Sequence, residues 1–466
     1  MVKHYANSVY GATTAFASLL VTCCVLATAA RADEPYEHAP INYLSATAKD
    51  PVARLQTRLD RGELKLEYDA KTGYLASVLR QLNIPKSSQT LVFSKTSFQR
   101  DRISPTHPRA LYFDDDTYVG WVGGGDVLEV ASTDPDLGTV FYTLEQHHDA
   151  AAGNTPAAAP RFVRQTYSCL QCHGSTMTRD VPGLLIRSVY PDSDGQPVLS
   201  AGTFLTTQQS PFAERWGGWY VTGSHGRQRH MGNVVVKEGK AGTSSSGASA
   251  EALLDVEAGA NLADLSGKFD TSAYLAGTSD VVALMVFTHQ AQTHNLITRA
   301  NYQTRVALRD EEAMNESLGR PGGAAGAAAA HSESTLNRVK DAGEPLVRHM
   351  LFCDEAPLGK IEGAGEFDRE FESRGPRDSR GRSLRELDLK RRLFRYPCSY
   401  LIYSAQFDAL PGPVKDYVYR RLWDVLSGAD PGSDFSHLTE STRRAIVEIL
   451  LETKPGLPAY WKKPAE

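Results

Sequence analysis

The sequence predicts an α+β fold: a strand-rich N-terminal region, a short cysteine-bearing segment, and a mostly α-helical C-terminal region. Three observations carry this. Between residues 90 and 145, short β-branched and aromatic runs alternate with Asp, Gly and Pro clusters, the pattern of strands and turns. From Asp280 onward, apolar residues recur at helical spacing. Between these regions, an Ala/Gly/Pro-rich loop at 149–160 and a Gly/Ser stretch from Gly239 to Gly247 bracket a separate segment.

Lys3 is followed by a largely apolar stretch from about Ala15 to Ala30, closing with Ala30-Arg31-Ala32 before Asp33-Glu34. That is the pattern of a secretory signal peptide over 1–32, with a small-x-small cleavage site. The run is short for a membrane span, so no integral span is expected after cleavage. Cys23 and Cys24 lie within it, but Thr22 before Cys23 fits a lipoprotein signal poorly. The chain carries a formal net charge of −5; residues 1–32 hold two cations, Lys3 and Arg31, and no acid, so the processed chain carries −7. This mild acidity argues against nucleic acid or an anionic membrane surface as partner.

Residues 33–148 form the first predicted domain. Val52–Leu59 and Tyr74–Leu82 read as helices. Thr90–Ser94, Ala110–Phe113, Thr117–Val122 and Gly138–Leu144 read as strands. A second unit spans 149–238, and 239–279 reads as a flexible linker. The helical domain covers 280–466, with Asp280 as N-cap and a Gly/Ala-rich loop at 319–334 expected to be mobile. Met285, His289, Gln292, Leu296 and Ala300 fall on one helical face. Pro413 suits a first turn, Val414, Val418, Leu422 and Val425 or Leu426 make an apolar stripe, and Gly428 is a stop signal. A last helix is expected over Glu440–Leu451.

The chemistry is concentrated in Cys169-Leu170-Gln171-Cys172-His173. Two thiols two residues apart, followed at once by histidine, form the attachment motif of a c-type haem. The sulfurs form thioethers to the two porphyrin vinyl groups, and the histidine becomes the proximal iron ligand. Haem c is attached after export, so motif and leader support each other and place the protein in the periplasm. Competing readings of the motif are weaker. A thioredoxin-like site belongs in a βαβ context, which the preceding residues lack. A zinc site needs a second ligand pair, and no second Cys-x-x-Cys exists. A Cys169–Cys172 disulfide leaves His173 without a role. One motif implies one covalent haem and one iron. Cys353 and Cys398 read equally as a disulfide pair or as separately buried thiols.

The stretch Glu214–Asn233 offers three candidates for the sixth iron ligand: Met231, then His230, then His225. Met231 lies 58 residues after His173, enough chain to fold over the far porphyrin face. Against this, Met231 suits a core gap, His230 a surface position and His225 a turn. Arg215, Trp216 and Trp219 are candidate donors to the haem carboxylates, and Gly217 and Gly218 permit close backbone approach. Core packing explains the tryptophans equally well. His289 and His294 point about 140° apart on one helix, so they read as packed side chains rather than as ligands to one metal. The Arg-rich stretch from Arg369 to Arg395, interleaved with acids, reads as an ion-paired surface.

Several blocks together carry a resemblance: Leu91–Arg100, Tyr118–Val122, Cys169–His173, Glu214–Asn233, His289–Asn295 and Arg395–Tyr400. In these the chain resembles large exported bacterial proteins with a single cytochrome c domain, across most of its length after residue 32. The resemblance implies haem c and electron transfer with a periplasmic redox partner protein, and it implies no substrate. After Met231 the chain runs Val234-Val235-Val236-Lys237, not an obvious closing helix, so a standard small-cytochrome fold is not expected. Two further classes fit the residues. One is a peroxidase-like haem oxidoreductase with an open or labile sixth site, served by His225, His230, Arg227 and Arg229. The other is a haem-based gas sensor.

Overall fold

Period-two alternation in the N-terminal half builds a seven-stranded antiparallel sheet. The computed structural model describes residues 34–146, 159–236, 254–320 and 331–462. The leader and its two cysteines lie outside the described residues. The strands are β1 (Thr90–Val92), β2 (Arg109–Phe113), β3 (Thr117–Trp121), β4 (Val127–Asp134), β5 (Gly138–Glu145) and β6 (Phe162–Arg164). β7 (Arg187–Val189) and β8 (Thr203–Leu205) form a separate hairpin, and β9 (Trp219–Tyr220) joins the main sheet beside β1. The order is β6-β5-β4-β3-β2-β1-β9. The sequence reading missed β4, although Val127-Leu128-Glu129-Val130-Ala131 alternates as a half-buried strand should.

Cross-strand partners share a face. One face carries two in-register rows, Leu91-Ala110-Trp121 and Tyr112-Val119-Val130-Tyr142. It is covered by α1 (Pro51–Asp60) and α2 (Leu75–Gln81) through Val52, Leu55, Leu75 and Val78. Asp50 caps α1, accepting from Val52 N at 2.8 Å, and its other oxygen accepts from Tyr142 Oη at 2.5 Å. Such a cap is worth about 1 kcal/mol, and here it also ties helix to sheet.

The opposite face carries Val92, Leu111, Phe113, Tyr118, Gly120, Glu129 and Phe141. At one end it packs against α4 (Val281–Ser317), whose Phe287 ring lies 5.3 Å from both Phe113 and Tyr118. The one-turn helix α3 (Leu170–His173) lies on this face through Phe141. Asp280 caps α4, as expected, accepting from Val282 N and Ala283 N. The face of Met285, His289, Gln292, Leu296 and Ala300 is buried, and so is every residue from Val281 to Thr298. The helix threads between the sheet and the C-terminal helices, so it has no solvent side there.

The C-terminal helices are α5 (Glu333–Met350), α6 (Phe367–Ser373), α7 (Ala405–Asp408), α8 (Gly412–Leu426) and α9 (Glu440–Thr453). The α8 stripe is as expected, with Val414, Val418, Leu422 and Leu426 buried, and Gly428 at φ 84° ends the helix. One hydrophobic core joins Val92, Trp216, Val282 and Leu422, so segments separated in the sequence reading share an interior. The second half of the stretch read as a flexible linker is also packed: Leu265 and Phe269 belong to the α1-side core. Its Gly/Ser half lies outside the described residues, as does most of the 319–334 loop. Arg385 departs from the ion-paired surface reading. It is buried, stacks 4.2 Å over Tyr400 and pairs with Asp115. No helix among the described residues is long and apolar enough to cross a membrane.

Candidate functional site

The Cys169–His173 motif folds as a single helical turn. His173 N bonds to Cys169 O at 2.9 Å, and Gly174 N bonds to Leu170 O at 2.9 Å. Residues three and four apart share a helix face, so Cys169, Cys172 and His173 project together. Both thiols are free, Cys172 exposed and Cys169 half-buried. Burial, followed by the nearby negative charge of Glu129, pushes the Cys169 thiol up to about 11.

His173 is held from two directions by one residue. Gly183 N donates to His173 O at 2.8 Å, and His173 Nδ1 lies 2.9 Å from Gly183 O. With Nδ1–H donating to that carbonyl, the second ring nitrogen is the one left to bind a metal. Burial lowers the His173 pKa, with the Gly183 bond opposing, and favours the neutral imidazole that ligates iron. The ring rests 4.9 Å from Phe141 on β5. Gly183 is in turn fixed from α4: Asn295 Oδ1 accepts from Leu184 N, and Asn295 Nδ2 donates to Leu184 O, both at 2.8 Å.

Sequence reasoning did not single out Gly183 or Asn295. It also passed over a half-buried ion pair on the same sheet face, Arg109 Nη2 to Glu129 Oε2 at 2.7 Å. One signal was present: an isolated glycine inside the β3 run, Gly120, marks close approach of another group.

The residues expected around the far haem face form a separate cluster. Arg215 is buried, with Nε donating to Ser210 O and Nη2 to Gln208 O, both at 2.9 Å. Burial draws its pKa down to about 10. Trp219 Nε1 donates to Arg187 O at 2.9 Å, and Trp216 Nε1 lies 3.5 Å from Thr288 Oγ1. Both indole donors and two of the three Arg215 nitrogens are thus engaged inside the protein. Gly217 and Gly218 admit the Val189 backbone and the Ser94 side chain, not a porphyrin. Met231 is buried, and its sulfur accepts from Ser188 Oγ at 3.3 Å. His225 uses both ring nitrogens: Nδ1 pairs with Gln228 O at 2.8 Å, and Nε2 accepts from Asn261 N at 3.0 Å. His230 is buried 4.6 Å from the His225 ring, with neither nitrogen hydrogen-bonded, and burial lowers its pKa to about 3. Among the described residues, no hydrogen bond or ring contact links His173 to Met231, His230 or His225.

His289 and His294 are packed side chains. His289 bonds to Gln208 and Ser399, and His294 bonds to Gln406 and the Asp115 carbonyl. Cys353 and Cys398 are both buried and free, with burial pushing each thiol up to about 12.

Near the motif in sequence, Val163, Tyr167, Met177, Leu199 and Leu205 are exposed, and Met177 and Leu205 line one cavity with Leu184 and Ile186. One exposed and one half-buried thiol and an imidazole with one nitrogen already oriented are the groups a c-type haem needs from one turn. No protein-family model, curated protein or solved structure matches the chain.

Proposed function

We propose that this is an exported, periplasmic monohaem c-type cytochrome that transfers electrons to and from a partner protein. The observation that carries the reading is the double hold of Gly183 on His173 within the Cys169–His173 turn. Cys169 and Cys172 would hold the haem through thioethers, and His173 would offer Nε2 to its iron while Gly183 keeps the ring in one tautomer and orientation. When bound, haem c supplies a one-electron couple whose potential its ligands and surroundings set. Phe141 backs the imidazole, and Asn295 transmits the rigidity of α4 to the loop that holds it. Export follows from the 1–32 leader, and the resemblance to single-haem exported cytochromes points the same way.

A second reading has its own observation. The Met231 sulfur is engaged by Ser188, both His225 nitrogens are used, and among the described residues no contact brings His230 to His173, so the iron of a bound haem would have an open or weakly filled sixth position. That favours a haem oxidoreductase or a gas sensor over a simple carrier.

An absorption spectrum of the protein, exported with the cytochrome c maturation machinery and recorded oxidised and reduced, tests both readings. Absence of a covalent haem spectrum overturns both. A low-spin spectrum indifferent to cyanide and carbon monoxide supports electron transfer. A high-spin spectrum that binds them supports the second reading.

A further inference from the structure

The ion pair of Arg109 and Glu129 stands on the sheet face that carries the attachment turn. Arg109 projects from β2 and Glu129 from β4, with Gly120 of β3 between them. Their side chains are 14% and 15% exposed. The other carboxylate oxygen, Glu129 Oε1, accepts from Gln99 Nε2 at 2.9 Å. Arg109 Nε is buried with no hydrogen-bond partner. The guanidinium lies flat on Gly120: a Cβ there would stand 2.7 Å from Arg109 Cζ, inside contact distance. Gly120 has ordinary strand geometry, so the missing side chain serves the space above it and not the backbone. Both charges are felt at the Cys169 thiol and the His173 ring.

A largely buried ion pair is weak evidence for stability, because the cost of desolvation rivals the attraction. This one also leaves a guanidinium donor unmet beside the motif. Haem carries two carboxylates that need charge-assisted donors. Trp216 and Trp219 have spent their indole donors elsewhere, and Arg215 turns Nε and Nη2 to backbone carbonyls.

Resting on the haem reading above, we propose that Arg109 is the carboxylate-binding residue of the haem site, seated by Gly120 and restrained by Glu129. Arg109 then sets the haem potential through its charge, and Glu129 opposes it. A positive charge near the iron favours the reduced state, and a negative charge disfavours it.

The test is a redox titration of the full-length, haem-loaded protein carrying Arg109→Gln, Arg109→Lys, Glu129→Gln or Gly120→Ala. Arg109→Gln lowers the midpoint potential. The expected size is a tenfold change in the reduced-to-oxidised ratio at fixed potential, about 59 mV for one electron. Glu129→Gln raises it. Arg109→Lys keeps the charge and restores most of the shift. Gly120→Ala lowers the potential while retaining both charges, because it displaces the guanidinium, and it decides the matter where Arg109→Gln does not fold. Unmoved potentials in folded, haem-bearing Arg109→Gln or Gly120→Ala protein overturn the proposal and leave the haem reading standing. Absence of covalent haem in the parent protein overturns both.

Discussion

His173 and Gly183 are joined twice, backbone amide to carbonyl at 2.8 Å and ring nitrogen to carbonyl at 2.9 Å. The hold depends on Gly183 having no side chain, since a Cβ there would lie 2.8 Å from Asn295 Cγ. Gly183→Ala is expected to push the loop off α4, destabilising the protein by about 1–3 kcal/mol and loosening the proximal histidine. Chemical denaturation reads the first effect, and a changed visible spectrum at full haem content reads the second. A spectrum identical to the parent's would show that Gly183 does not position His173.

Cys169→Ala and Cys172→Ala each remove one thiol of the proposed haem attachment. Each variant is expected to lose most covalent haem, seen as lost haem staining after denaturing electrophoresis. His173→Ala leaves both thiols in place and is expected to alter the spectrum of whatever haem remains. Full staining in the Cys169→Ala, Cys172→Ala double variant would refute covalent attachment at this turn.

Met231 is packed, and its sulfur bonds to Ser188. Met231→Ala is therefore expected to cost about 2–5 kcal/mol of stability as a cavity, with an unchanged visible spectrum. Disappearance of a methionine-to-iron charge-transfer band would instead return Met231 to the iron, as the sequence reading has it.

His230 titrates at about 3 in the folded chain, against an ordinary value of 6.5. Between these values the unfolded chain binds a proton at this ring and the folded chain does not, so stability falls as pH falls. The contribution changes by at most about 1.4 kcal/mol per pH unit. Asp114 and Glu355, both raised to about 7 by burial, act in the opposite sense. Comparison with His230→Phe isolates the histidine. Urea titrations from pH 7 to pH 4 are expected to show the variant gaining on the parent as the solution is acidified. A constant difference would mean that His230 is not held neutral.

Cys353 and Cys398 are buried free thiols. Iodoacetamide is expected to leave both unmodified in the native protein and to label both on denaturation without reductant. Labelling that requires reductant would establish a disulfide between them.

The haem motif is legible in the sequence because its chemistry is local: two sulfurs and an imidazole must come from one turn. The strands at 90–92, 109–113, 117–121 and 138–145 and the capped helix beginning at Val281 are legible for the same reason, since each is written in the periodicity of its own residues. What surrounds the haem motif is not local. Arg215 and the two tryptophans have suitable chemistry and stand near Met231 in sequence, but tertiary packing spends their donors on carbonyls and a hydroxyl. Gly183 holds His173 because Asn295, 112 residues further on, fixes the loop between them. Arg109, Gly120 and Glu129 become neighbours only through the register of β2, β3 and β4. The sequence by itself determined the Cys169–His173 motif and those elements written in their own periodicity; pairing register and packing decided which side chains remain free to meet a cofactor, because a hydrogen-bond donor is available only if no nearer acceptor has taken it.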